Sequence, residues 1–156
     1  METEIQDVKD FNPAKYISMI YRHSRCYMDT AMNKFDLSSG QYIFLLYLYK
    51  SNGTSQDEIS KALDIDKATT TRAITKLEER GFIERKVDEY DKRINRINLT
   101  QKSYDIQDEI KEFSKLWNDI ILESISDTEK EILKSLLLKI SENASIYKNC
   151  KYRKGE

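Results

Sequence analysis

The sequence predicts a mainly α-helical protein that carries one small β-hairpin. Three observations predict this class. Only four Gly and one Pro occur in 156 residues, 34% of which are charged, a helix-rich balance with too little punctuation for a β fold. The helix-start signal S-x-x-[EQ] appears at Ser38, Ser55 and Ser126, with Gln41, Glu58 and Glu129 three residues on. Over residues 82–99 the apolar period changes from helical to alternating around the polar loop DEYDKR.

Asn12-Pro13 supplies an N-cap followed by Pro at the first helical position. Ile17, Ile20, Tyr21, Ser24, Met28, Ala31, Met32 and Phe35 then recur at three- and four-residue spacing, which predicts a long first helix over 12–35 with one apolar stripe. Ser38 opens a second helix through the apolar run IFLLYLY, which stops near Ser51-Asn52-Gly53. Ser55 opens the short helix QDEISKAL, which ends before Asp64. Asp66 caps the next helix, and Gly81 closes it where a positive φ is usually needed. FIERKV at 82–87 and INRINL at 94–99 are the two strands of the hairpin. Thr100 caps one long helix running to about Glu123, and Ser126 starts the last, with Ile132, Leu133, Leu136, Leu137, Ile140 and Ala144 along one side. A basic tail, KNCKYRK, follows. With no internal repeat or low-complexity segment, residues 1–156 read as a single domain.

Net charge is −1, but its distribution is uneven. Residues 67–86 hold six Lys/Arg against three acids, whereas residues 104–131 hold nine acids against three Lys. No phosphate-binding Gly loop, nucleophile motif or His/Cys cluster is present, so the expectation is a non-enzyme with no cofactor and no metal. His23 has no metal-ligand partner at a usual spacing and reads as a surface or cleft residue. The run at 43–49 is far shorter than the roughly 20 residues that span a bilayer, so no membrane role is expected. Cys26 and Cys150 form no CxxC, and no signal-peptide pattern opens the chain, which makes the reducing cytoplasm the default location.

Two short helices joined by the tight turn LDID, then a hairpin with a charged tip, are the parts of a winged helix-turn-helix. On the helix from Lys67 to Arg80, the residues Thr70, Ala73, Ile74 and Leu77 share one face and can pack inward. Lys67, Thr69, Thr71, Arg72, Thr75 and Lys76 are left outward. These side chains are suited to phosphates, base edges and thymine methyls of double-stranded DNA. Lys92 and Arg93 sit at the hairpin tip, or wing.

The stretch TSQDEISKALDIDKATTTRAITKLEERGFIERKVDEYDKRINRINLT resembles the MarR family of bacterial winged-helix transcriptional regulators, and the likeness extends over nearly the whole chain. The family's wing pattern, D-x-R followed by an apolar strand and Leu-Thr, is met by Asp91, Arg93, Ile97, Leu99 and Thr100. Ser103 stands where the family usually has Gly, at a helix start rather than on the DNA face. The resemblance implies that Arg93 enters the minor groove and that Asp91 orients it, in keeping with the negative potential of a narrow groove. It also implies a homodimer through the helices at 12–35 and 100–148, with 38–99 as the DNA-binding region. The apolar stripe near the C-terminus, together with Trp117, Ile120 and Ile121, is surface that one small domain could not bury alone. Such a dimer would read a pseudo-palindrome with half-sites roughly 10 bp apart.

MarR-like proteins commonly bind small aromatic effectors in a cleft between the dimer helices and the winged region. Tyr16, Tyr21, Tyr27, Tyr42, Tyr47 and Tyr49 lie on the first two helices, where core packing is the commoner use of Tyr, so no pocket residue is assigned. Cys26 lies late in the first helix, unlike the cysteine of peroxide-sensing relatives, and reads as a structural buried thiol. The expected function is a ligand-responsive repressor binding DNA as a homodimer. Two alternatives are a redox regulator of the same fold using Cys26 and a winged-helix protein-interaction module without DNA binding.

Overall fold

The computed structural model describes residues 11–152, with side chains through Tyr147; Cys150 and the rest of the basic tail's side chains lie outside the described residues. The chain divides into two compact units, Met1–Trp117 and Asn118–Glu156. Helix α1, Pro13–Met32, starts where the Asn12 carboxamide accepts from the Lys15 N–H, as its Asn-Pro signal predicts. A 3-10 turn, Asn33–Phe35, ends at Asp36 in the left-handed region. Helix α2, Ser39–Leu48, begins with the Ser38–Gln41 box, in which the Gln41 Oε1 accepts from the Ser38 N–H at 2.9 Å.

Strand β1, Thr54–Ser55, leads into α3, Gln56–Ala62, and α4, Lys67–Glu79; strands β2, Ile83–Val87, and β3, Asn95–Leu99, follow. The sheet is antiparallel in the order β1-β3-β2, which makes it three-stranded where the sequence predicts a two-stranded hairpin. Two residues are too few to show an alternating period. They pair because Gly53, at φ 78°, turns the chain back along β3 and donates its N–H to the Ile97 carbonyl at 2.9 Å. Next to it, the Asn52 carboxamide accepts from the Leu99 N–H at 2.8 Å.

The helix predicted from Thr100 to Glu123 is two helices, α5 at Gln101–Asp105 and α6 at Gln107–Ile121, broken at Ile106. The cause is tertiary. The Ser103 carbonyl, which a continuous helix would offer to the Gln107 N–H, accepts from the Tyr49 hydroxyl at 2.7 Å. Ser103 itself is fully buried, and its hydroxyl donates to the Phe82 carbonyl. Thr100 stands at the N-cap position, yet its hydroxyl makes no cap bond and donates to the carbonyls of Gly81 and Phe82. These bonds fasten the base of the sheet to α5.

The core of the first unit gathers Phe44, Leu45 and Leu48 from α2, Ile59 from α3, Ile74 and Leu77 from α4, and Phe82, Ile97 and Ile110, all essentially without solvent access. Thr70 is buried among them, and its hydroxyl is the buried side-chain polar atom with no partner in the described residues. A buried hydroxyl without a bond costs about 1–3 kcal/mol of desolvation. Thr70→Val keeps the branched shape and should therefore raise the denaturation midpoint, by about 1 kcal/mol of stability. A lower midpoint would show that the hydroxyl has a partner.

In the second unit, α7 runs from Asp127 to Tyr152. It starts at the third predicted box, where Glu129 Oε2 accepts from the Ser126 N–H at 2.8 Å. Along it Ile132, Leu136, Leu137 and Leu138 are each about half exposed, and none of its described side chains is buried.

Candidate nucleic-acid interface

Helix α4 is positioned from both ends. At its start the Asp66 carboxylate accepts from the Thr69 N–H at 2.8 Å, a bond that also holds the Asp66 pKa below its ordinary value. The preceding turn puts Asp64 at φ 51° and is locked by the Ser60 hydroxyl, which donates to the Ile65 carbonyl at 2.6 Å. At its end Gly81, φ 73°, donates its N–H to the Glu78 carbonyl. Thr70, Ala73, Ile74 and Leu77 are buried as the helical period predicts.

Lys67, Thr71, Arg72 and Lys76 are exposed, whereas Thr69 and Thr75 are half-buried on the flanks. Several of the outward groups are already engaged. Lys67 pairs with Asp57 of α3 at 2.9 Å. The Thr71 hydroxyl donates to the Lys67 carbonyl and accepts from Gln56 Nε2 at 2.6 Å, so Thr71 presents chiefly its methyl outward, and Gln56 is aimed across the same face. Thr69 accepts from Arg72 Nη2 at 3.0 Å, which orients that guanidinium, and its own hydroxyl is hydrogen-bonded to the Asp66 carboxylate. The Thr75 hydroxyl accepts from Arg85 of β2, whose other nitrogen is held by Glu78. Ala68, exposed in the first turn, adds a methyl at the centre of the outward face.

The wing tip is ordered by two aspartates. Asp91 takes the Arg93 guanidinium as a fork, Nε to Oδ1 at 2.9 Å and Nη2 to Oδ2 at 2.8 Å, and also accepts the Arg93 N–H. This leaves Arg93 89% exposed with its direction set. Asp88 accepts the N–H groups of Asp91 and Tyr90 and the Arg96 Nε; those bonds, the Asp91 N–H foremost, hold its pKa down to about 2. Lys92 is exposed beside Arg93. The start of α3 and the sheet with its wing line a cleft, through Gln56, Asp57, Arg85, Arg93 and Asn95. The arrangement is a polar, donor-rich helix face next to a basic loop tip, the geometry that reads a groove and grips the adjacent backbone.

The MarR family model matches residues 37–94. The chain is 31% identical over 134 residues to the HTH-type transcriptional regulator BilQ of Clostridioides difficile (strain CD3), covering 81% of this chain and 90% of that protein. The chain belongs to the MarR family of transcriptional regulators. Among solved structures, the MarR transcriptional regulator from Methanosarcina mazei Go1 is 35% identical with a TM-score of 0.77, over 85% of this chain and 96% of that one. The S. aureus MepR–DNA complex is 26% identical with a TM-score of 0.80, over 86% and 99%.

For this MarR-family chain, the structure brings together the predicted outward residues of α4 and, at the wing, Asp91, Lys92 and Arg93. The sequence reading missed Gln56, Ala68, Asp88 and Arg96. Ala68 was accessible to the helical period, since it falls on the outward arc, and Asp88 has local partners in the N–H groups of Tyr90 and Asp91; Gln56 and Arg96 act through partners distant in sequence. Cys26 corrects the expectation of a buried thiol. It is exposed on α1 beside Arg22 and Arg25, because the α1 side chains turned to the core are Met28 and Met32. His23 is exposed as well. Of the tyrosines, Tyr42, Tyr47 and Tyr49 pack against the core, Tyr27 stacks on Trp117 at 5.1 Å, and Tyr16 and Tyr21 are exposed. Among the described residues no group of His, Cys, Asp and Glu could hold a metal ion, and no helix is long and apolar enough to cross a membrane.

Proposed function

We propose that this protein is a homodimeric, sequence-specific double-stranded DNA-binding regulator, a repressor whose DNA affinity falls when a small aromatic effector binds. The carrying observation is the outward set Lys67, Thr69, Thr71, Arg72, Thr75 and Lys76 on a capped helix, next to the Asp91–Arg93 fork and Lys92 at the wing. In this reading residues 38–99 form the DNA-binding region. The α4 helix enters the major groove and Arg93 the adjacent minor groove. The DNA complex of the MepR relative supports the assignment.

Residues 12–35 and 100–148 form the dimer contacts. Tyr16, Ile17, Ile20 and Tyr21 on α1 and Ile132, Leu136, Leu137 and Ile140 on α7 are apolar side chains left in water in the single chain. Two-fold pairing would cover them and set two α4 helices about one DNA turn apart. An effector acts by favouring a separation of those helices that no longer matches successive major grooves. The protein should sediment as a dimer and select, from its source genome, fragments holding inverted repeats. A monomer, or selection of unrelated fragments, would contradict it.

A second reading, a redox-responsive regulator of the same fold, rests on the exposed Cys26 thiol. It requires peroxide to abolish DNA binding by the wild type but not by Cys26→Ser.

A further inference from the structure

The loop that carries Arg93 is tied to the helix-turn-helix by a chain of charged hydrogen bonds that the core does not need. Asp88 follows β2, and its N–H closes the loop on the Ile94 carbonyl at 2.9 Å. Its Oδ1 accepts from the N–H groups of Tyr90 at 2.8 Å and Asp91 at 2.9 Å, so one carboxylate fixes the backbone leading into Arg93. Its Oδ2 accepts from Arg96 Nε at 2.6 Å. Arg96 then reaches with Nη1 to Glu58 Oε2 at 3.1 Å, the same oxygen that accepts from the Ser55 N–H and hydroxyl at the start of α3. Arg96 sits on the middle strand, paired with Ser55 on one side and Lys86 on the other.

We propose that Asp88 and Arg96 form a brace that sets the position of the wing loop, and with it Arg93, relative to the helix-turn-helix. The inference rests on the DNA-binding reading and deepens it by adding two positioning residues. A hairpin tip that no other element covers is held by its own turn alone, and an exposed arginine contributes most when its bound position is already populated. The brace is built for that purpose. Asp88 is only 11% exposed and Arg96 34%, so their bond is shielded where an open surface pair would be weakened by water. Arg96 serves two carboxylates on two elements with different nitrogens of one rigid plane, which a lysine's single nitrogen cannot do.

A double-mutant cycle tests the brace on the full chain, with a palindromic operator duplex as the probe. Asp88→Ala removes a negative charge, which by itself strengthens attraction to a polyanion, so a loss of affinity has the opposite sign to the charge effect. We expect Asp88→Ala to weaken binding about tenfold in the wild type and less than about twofold in the Arg93→Ala background. Arg96→Lys, which keeps the charge, should show the same dependence on Arg93. Amide exchange at Tyr90 and Asp91 should quicken in Asp88→Ala while the exchange of α4 is unchanged. Equal losses in both backgrounds, no loss in either, or unaltered exchange would overturn the brace. A wild-type protein that binds no duplex would overturn the DNA reading itself, and the exchange measurement would still decide whether the loop is braced.

Discussion

Arg93→Ala should weaken operator binding by about 1–3 kcal/mol, a loss of about 5- to 150-fold, while leaving the melting temperature unchanged. The expectation follows from geometry. The side chain is 89% exposed, so its removal leaves no cavity. Its guanidinium is aimed by the Asp91 fork, and on the proposed DNA-binding reading it would put a positive charge into a narrow minor groove, where negative potential concentrates. Asp91→Ala should produce a smaller loss in the same assay, because the arginine remains but its direction is no longer set. Titration by fluorescence anisotropy at one fixed salt concentration measures both. An Arg93→Ala protein that binds as tightly as the wild type would return Arg93 to the role of a solvated loop charge.

Phe44→Ala should destabilise the first unit by about 3–5 kcal/mol, read as a shift of the urea midpoint with little change in slope. Phe44 is 1% exposed and belongs to the cluster that also holds Ala73, Ile74 and Leu77 of α4. Domains of this size are stable by only about 5–15 kcal/mol, so the substitution removes a large share of the margin. DNA affinity should fall with it, since Ile74 and Leu77 seat α4 through the same cluster. A midpoint shift below about 1 kcal/mol would mean that the core does not close around Phe44 as described.

Local signals carried most of the fold. The boxes at Ser38, Ser55 and Ser126, the Asp66 cap and the left-handed Gly81 each depend on residues within four positions of one another, and the structure forms all of them. The buried arc of Thr70, Ala73, Ile74 and Leu77 was legible for the same reason, because a helical period is a local property. Where the sequence misled, the cause lay farther away. The break at Ile106 follows from a hydroxyl on Tyr49 meeting a carbonyl on Ser103, and β1 exists only because β3 lies alongside it. The exposure of Cys26 agrees with the period of α1, since Cys26 lies off the apolar stripe that holds the buried Met28 and Met32; the expectation of a buried thiol rested on the residue type instead. The site divides in the same way. The outward residues of α4 could be read from periodicity, whereas the engagement of Thr71 by Gln56 and the link from Asp88 through Arg96 to Glu58 join elements whose distance no single-sequence pattern encodes.

The central claim is that α4 and the wing read duplex DNA by sequence. The most direct measurement compares affinity for a palindromic duplex from the chain's own upstream region with that for a scrambled duplex of equal composition, across a salt series. We expect a preference on the order of 10³ or more for the palindrome and a steep linear fall of log affinity with log salt for both. Equal and salt-insensitive affinity for the two duplexes, or binding to neither, would contradict the claim.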